Sequence, residues 1–168
     1  MKTAVVFYSN DGNCTFVAEQ IGTQTGADLL RLQAKDEKRR TRAGRFVAAC
    51  AMVFIHRRPE IKPFSFDPAG YDLIIMGAPV WAASPASPMQ TFLSQAGIAG
   101  KKIAIFVCHA GGMGTALEKF KSLLPGNTIV AEKDFINPAK NGETSKRQIA
   151  DWVKTIIEEE GQEIDAGE

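Results

Sequence analysis

Apolar positions along the chain gather into five short runs, and helical spacing governs most of what lies between them. Residues 3–8 (TAVVFY) are β-branched and aromatic and predict a first strand. Residues 15–26 (TFVAEQIGTQTG) then space Phe16, Val17 and Ile21 as one helix face before Gly26 ends the pattern. Residues 27–32 (ADLLRL) alternate enough for a second, more exposed strand at a sheet edge. Residues 71–77 (YDLIIMG) and 102–108 (KIAIFVC) are almost unbroken apolar runs, as parallel strands buried on both faces require. A helix through Phe92 and Leu93 separates them and stops at Gly97 and Gly100. A further helix through Leu117, Phe120 and Leu124 ends at Pro125-Gly126-Asn127. Residues 128–135 (TIVAEKDF) predict the fifth strand. Ile149, Trp152, Val153, Ile156 and Ile157 give residues 145–159 the spacing of a last helix.

Two stretches depart from this alternation. Residues 35–45 (KDEKRRTRAGR) are strongly basic and feed the small apolar residues 46–55, a loop followed by a buried helix. Residues 59–68 hold three prolines and predict an extended connection. Five strands alternating with helices imply right-handed crossovers, hence an α/β chain: a doubly wound five-stranded parallel sheet covered on both faces, a three-layer sandwich. No repeat, low-complexity tract or linker divides the chain, so a single domain over residues 1–168 is expected. Such sheets bind ligands beyond the carboxyl ends of their strands, where the strand order reverses.

Composition narrows the function. With 45% hydrophobic residues the chain can fill one core, and a net charge of +1 gives no global pull toward polyanions. Cys14, Cys50 and Cys108 are odd in number and far apart, with no metal-site spacing. A disulfide framework is therefore not expected, and a reducing cytoplasm fits best. No apolar run approaches membrane-spanning length, and no aromatic interleaving in the basic segment supports nucleic-acid binding. His56 and His109 are too isolated for a metal site or a triad, and GxGxxG, GxxxxGK and GxSxG are absent.

Three loops carry the candidate chemistry. Between the first strand and helix, Ser9, Asn10, Asp11, Gly12, Asn13, Cys14 and Thr15 form a polar turn whose backbone N–H groups and side-chain donors suit an anion at a helix N-terminus. An ordinary turn capped by Asp11 or Asn13 explains the same residues. After the third strand come Pro79, Val80, Trp81 and Ala82, where the indole stacks on a planar ring or else caps the core. After the fourth come Cys108, His109, Ala110, Gly111 and Gly112, whose glycines let backbone approach a ligand closely or simply make a flexible turn. Cys14 is a low-pKa redox thiol or a small buried residue of the turn. A thiol-phosphatase loop starting at Cys108 would need arginine where Gly114 stands.

Tyr-Ser-Asn-Asp-Gly-Asn-Cys-Thr at 8–15 resembles the phosphate loop of the flavodoxin family, usually Ser/Thr-x-Thr-Gly-x-Thr. Ser9, Gly12 and the neighbouring Asn13 match; Asp11 and Cys14 stand where hydroxyls are usual. Ile-Met-Gly-Ala-Pro-Val-Trp-Ala at 75–82 and Phe-Val-Cys-His-Ala-Gly-Gly at 106–112 resemble that family's second and third flavin loops. Asp11 together with the latter two motifs is similar to short flavodoxin-like proteins of anaerobic microbes. The resemblance spans nearly the whole chain and implies strand order 2-1-3-4-5, FMN as cofactor and the sixteen loop residues named above as its binding site. It implies electron transfer, with two alternatives: an NAD(P)H:quinone-type FMN reductase, or a module that has lost FMN. Asp11 is then expected to turn outward, away from a phosphate it would repel. Ala82 replaces a glycine whose peptide commonly turns on flavin reduction, a turn that alanine should resist. No tyrosine covers the far face of the ring; His109 and Met113 stand in the third loop instead. The family's members are often acidic and this chain is not, so the basic segment bounded by Lys35 and Arg58 is expected to face an acidic redox partner. Oligomeric state stays open.

Overall fold

A computed structural model describes residues 1–35 and 58–165. The helix expected at 46–55, Cys50, His56 and most of the basic segment lie outside those residues. The elements run β1 (Thr3–Tyr8), α1 (Asn13–Thr25), β2 (Asp28–Leu32), β3 (Leu73–Trp81), β4 (Ser84–Pro85), α2 (Ser87–Gln95), β5 (Lys102–His109), α3 (Ala116–Ser122), β6 (Thr128–Ile136) and α4 (Gly142–Asp165). The five long strands order as β2-β1-β3-β5-β6, every neighbouring pair parallel, and the two-residue β4 pairs antiparallel with the end of β3. With β4 set aside, this is the expected 2-1-3-4-5 order of a flavodoxin-like α/β sheet.

Strand period separates the two cores. Ile74 and Met76 of β3 pack with Trp81, Met89, Phe92 and Phe120 under α2 and α3. Leu73 and Ile75 face the other way, with Val5, Val17, Ile21 and Trp152 under α1 and α4. Gly77 continues that second face, and a Cβ there would lie 1.9 Å from Cζ of Phe106. Phe106 is itself fixed edge-on to Phe135 and Trp152, with ring centroids 6.2 and 6.1 Å away. Glycine at 77 is what lets β3 and this aromatic layer coexist.

β2 lies at an edge as expected, with Leu29 46% exposed and Leu32 buried. The proline-rich stretch is extended: Ile61 bridges Ala34, while Phe64 and Phe66 pack on Phe92 at 5.0 and 5.6 Å. One boundary differs in consequence. β3 runs on to Trp81, so Pro79, Val80 and Trp81 are strand residues rather than loop residues. The reason is pairing on both sides: Pro79 lies opposite Cys108 in β5, and β4 folds back to set Pro85 against Val80 and Ser84 against Trp81.

Candidate functional site

The carboxyl ends of β1, β3 and β5 are adjacent in the sheet, which brings the three candidate loops to one edge. In the first, Ser9 is fully buried and its Oγ accepts the Gly12 N–H at 3.2 Å. Gly12 has φ 92°, a left-handed conformation that favours glycine, and a Cβ there would meet nothing within 4 Å. The backbone, not crowding, demands this glycine. Asp11 is exposed; its Oδ1 accepts the Asn13 N–H at 3.2 Å and its Oδ2 accepts from Asn13 Nδ2 at 3.1 Å. The carboxylate therefore turns onto the start of α1, in the orientation expected, where the helix dipole favours it. Asn13 Oδ1 accepts the Ala139 N–H at 3.2 Å, so this amide serves the protein itself on both sides. Asn10 is half-buried. The Thr15 hydroxyl is shielded from solvent and has no hydrogen-bond partner.

Cys14 is buried, and the low-pKa redox reading of it is overturned. Burial pushes its thiol well above the usual value, and its hydrogen bond to the Cys108 side chain adds to the shift. Cys108 is also buried, so the two thiols join the first and third loops beneath the surface.

In the second loop the structure gives Trp81 to the core. The residue is 8% exposed and meets the Tyr8 ring edge-on, centroids 5.6 Å apart at 87°. Pro79 is buried and Val80 half-buried. Ala82 and Ala83 connect β3 to β4 with φ 47° and 54°, positive at both central residues as a type I′ hairpin turn requires. Alanine thus stands at positive φ at position 82, with no glycine to ease the turn. The surroundings impose the turn: the Ala86 N–H donates to the Pro79 carbonyl at 3.0 Å, Thr115 Oγ1 donates to the Ala83 carbonyl at 3.3 Å, and Lys119 Nζ donates to Ser84 Oγ at 3.0 Å. Gly114 lies so close that a Cβ on it would be 2.7 Å from that of Ala83.

In the third loop, Ala110, Gly111 and Gly112 are exposed, and a Cβ at 111 or 112 would meet nothing within 4 Å. His109 does not stand out into this loop. Its side chain is 6% exposed, with Nε2 3.0 Å from Asp134 Oδ2, and Nδ1 is buried without a hydrogen bond.

A fourth loop went unforeseen. After β6, Asn137 at φ 44° donates from its backbone N–H to the His109 carbonyl at 2.9 Å and from Nδ2 to the Ala110 carbonyl at 3.4 Å, while Ala139 meets Asn13. The Asn137-Pro138 pair directly after a strand was the available signal. Arg31 also went unassigned; its Nη2 donates to the Ser9 carbonyl at 3.3 Å. Among the described residues, no group of three or more His, Cys, Asp or Glu side chains is placed to hold a metal ion.

The profile of the family described as Flavodoxin matches residues 2–156. The chain belongs to the flavodoxin family. Solved structures place it among relatives of the same fold. A flavoprotein from Lactobacillus acidophilus, solved in complex with FMN, is 22% identical and superposes with a TM-score of 0.72 over 90% of this chain and 97% of that one. A protein from Bacteroides eggerthii provisionally described as a flavoprotein is also 22% identical, with a TM-score of 0.73 over 93% and 98%. Oxidised flavodoxin 2 from Bacillus cereus is 15% identical, with a TM-score of 0.59 over 94% and 99%. No match was found among curated protein sequences. At these identities the structures establish the fold that this flavodoxin-family chain adopts, and the site is argued from its own residues.

Proposed function

We propose that the chain is an FMN-binding electron-transfer protein of flavodoxin type. The first turn carries this reading. It combines a left-handed Gly12 open on its Cβ side, an Asp11 carboxylate engaged with Asn13, and a buried Thr15 hydroxyl with no protein partner. That set fits a phosphate group: donors stand at a helix N-terminus and the one nearby carboxylate already has its hydrogen bonds. The open backbone at Gly111 and Gly112 suits N–H donation to ring carbonyl oxygens, and the Ala82-Ala83 turn adjoins this third loop through Gly114 and Thr115. FMN, when bound, supplies the one- and two-electron chemistry; the chain binds, orients and limits water. With Trp81 held in the core, the ring contact in the second loop passes to Val80, Ala82 and Ala83.

An absorption spectrum of the purified protein tests this directly. A flavin spectrum, present on purification or after adding FMN, is expected; colourless protein that takes up no FMN refutes the reading. The orientation of Asp11 argues against a module that has lost FMN. Exposure of Ala110, Gly111 and Gly112 favours a reductase as second reading, since it leaves room for a substrate over the ring. Stopped-flow mixing with NADPH separates the two: a carrier is reduced slowly, a reductase within its turnover time. For either, the basic segment from Lys35 to Arg58 suits an acidic partner protein, and electron-transfer rates insensitive to salt would count against that partner.

A further inference from the structure

We infer that Arg31 is an anion-holding residue of the first turn, a cation from the neighbouring strand that shares the FMN phosphate with the α1 N-terminus. The inference rests on the FMN reading and goes beyond it, because neither the three loop motifs nor the sixteen site residues that the resemblance implies include a residue of β2. Parallel pairing sets Arg31 beside Phe7 and Leu32 beside Tyr8, so Arg31 sits at the carboxyl end of its strand, where the turn begins. Strand alternation decides its face. Leu30 and Leu32 pack in the core that holds Trp81, whereas Leu29 leans on α1, 3.1 Å from where a Cβ on Gly22 would be. Arg31 shares the side of Leu29 and hence of α1, whose first residues complete the turn.

Its hydrogen bond fixes the head group there. Nη2 donates to the carbonyl of Ser9, the fully buried residue whose hydroxyl also holds Gly12. A guanidinium has five N–H donors, so this anchor leaves donors and the whole charge for another acceptor. Charge supplies the need. A phosphate monoester brings about −1.5 to −2 at neutral pH, into a turn that already carries Asp11 and has no lysine or arginine among residues 9–15. The helix dipole offers roughly half a charge. Arg31 adds a full one.

The alternative is that Arg31 only ties β2 to the turn, and two ligands that differ by a phosphate distinguish these roles. Apo-protein of the full chain is titrated with FMN and with riboflavin, following flavin fluorescence quenching, for wild type, Arg31→Gln and Arg31→Lys. Loss of one charge-assisted contact is expected to raise the FMN Kd of Arg31→Gln about 10- to 100-fold, with riboflavin affinity within about twofold of wild type. The salt dependence of FMN binding flattens with it. Arg31→Lys, which keeps the charge without the fork, loses less and on FMN alone; it carries the test if the glutamine variant fails to fold by circular dichroism. Equal losses for both ligands would show a structural tie and overturn the inference, as would unchanged FMN affinity. Wild type that binds neither flavin overturns the FMN reading, and this inference with it.

Discussion

Ala82 and Ala83 hold a conformation that costs an L-residue roughly 1–2 kcal/mol each relative to glycine, and the sequence offers no glycine at either position. The turn exists because Thr115, Lys119 and Ala86 bond it from outside and β4 closes the hairpin. Ala82→Gly should therefore stabilise the protein by roughly 0.5–1 kcal/mol, the relieved strain less the extra freedom of an unfolded glycine. The check is a higher urea midpoint at unchanged m-value. Gly114→Ala should do the reverse, by about 1–3 kcal/mol, because its Cβ would press on Ala83 at a φ of 53°. Cys14 makes a different prediction. Its folded pKa is raised, so the neutral thiol contributes stability in full below the unfolded value of about 8.5, and that contribution is lost as pH rises beyond it. Wild type should weaken above pH 8.5 more steeply than Cys14→Ala, which lacks the titrating thiol. Parallel pH profiles of the two midpoints would contradict the buried, hydrogen-bonded thiol.

At the scale of elements, β3 shows how far pattern reading reaches. Its apolar run predicted a buried central strand, yet the strand end was misplaced by four residues because proline usually closes a ladder. Pro79 stays in the sheet, and the pairing that carries the strand onward comes from Ser84 and Pro85, a hairpin that an Ala-Ala turn does not announce. Trp81 moved from candidate ring-stacker to core residue for the same reason. The first turn was more legible, since Gly12, Ser9 and Asp11 act within five residues of one another. Asn137, Asp134 and Arg31 were not, because each reaches the site only through tertiary contact. Gly77 is invisible to periodicity as well, its meaning lying wholly in Phe106. Gly77→Ala should destabilise by at least about 1–3 kcal/mol, and Phe106→Leu should recover part of that loss in the double variant. Additive losses would place the strain elsewhere.

Across the whole molecule, the loops at the sheet edge are linked in a chain rather than standing as separate fingers. Ala83 is bonded by Thr115, Ala110 by Asn137, and Asn13 by Ala139, with Cys14 and Cys108 joined underneath. A ligand that touches any one of them should steady all four, because each loop's anchor lies in another. FMN at 100 times its Kd should add about 2.7 kcal/mol to unfolding by mass action alone, or roughly 5–10 °C in Tm for a chain of this size. Riboflavin, lacking the phosphate, should give a smaller shift at equal concentration. Linkage between the loops makes a stronger claim than the Tm does. Amide exchange should slow together in the loops at 9–15, 82–86, 109–115 and 137–141 when FMN binds, including 137–141, which carries none of the flavin-loop motifs. Protection confined to the first turn would mean that these hydrogen bonds do not couple the loops, and that the phosphate and ring contacts are held independently.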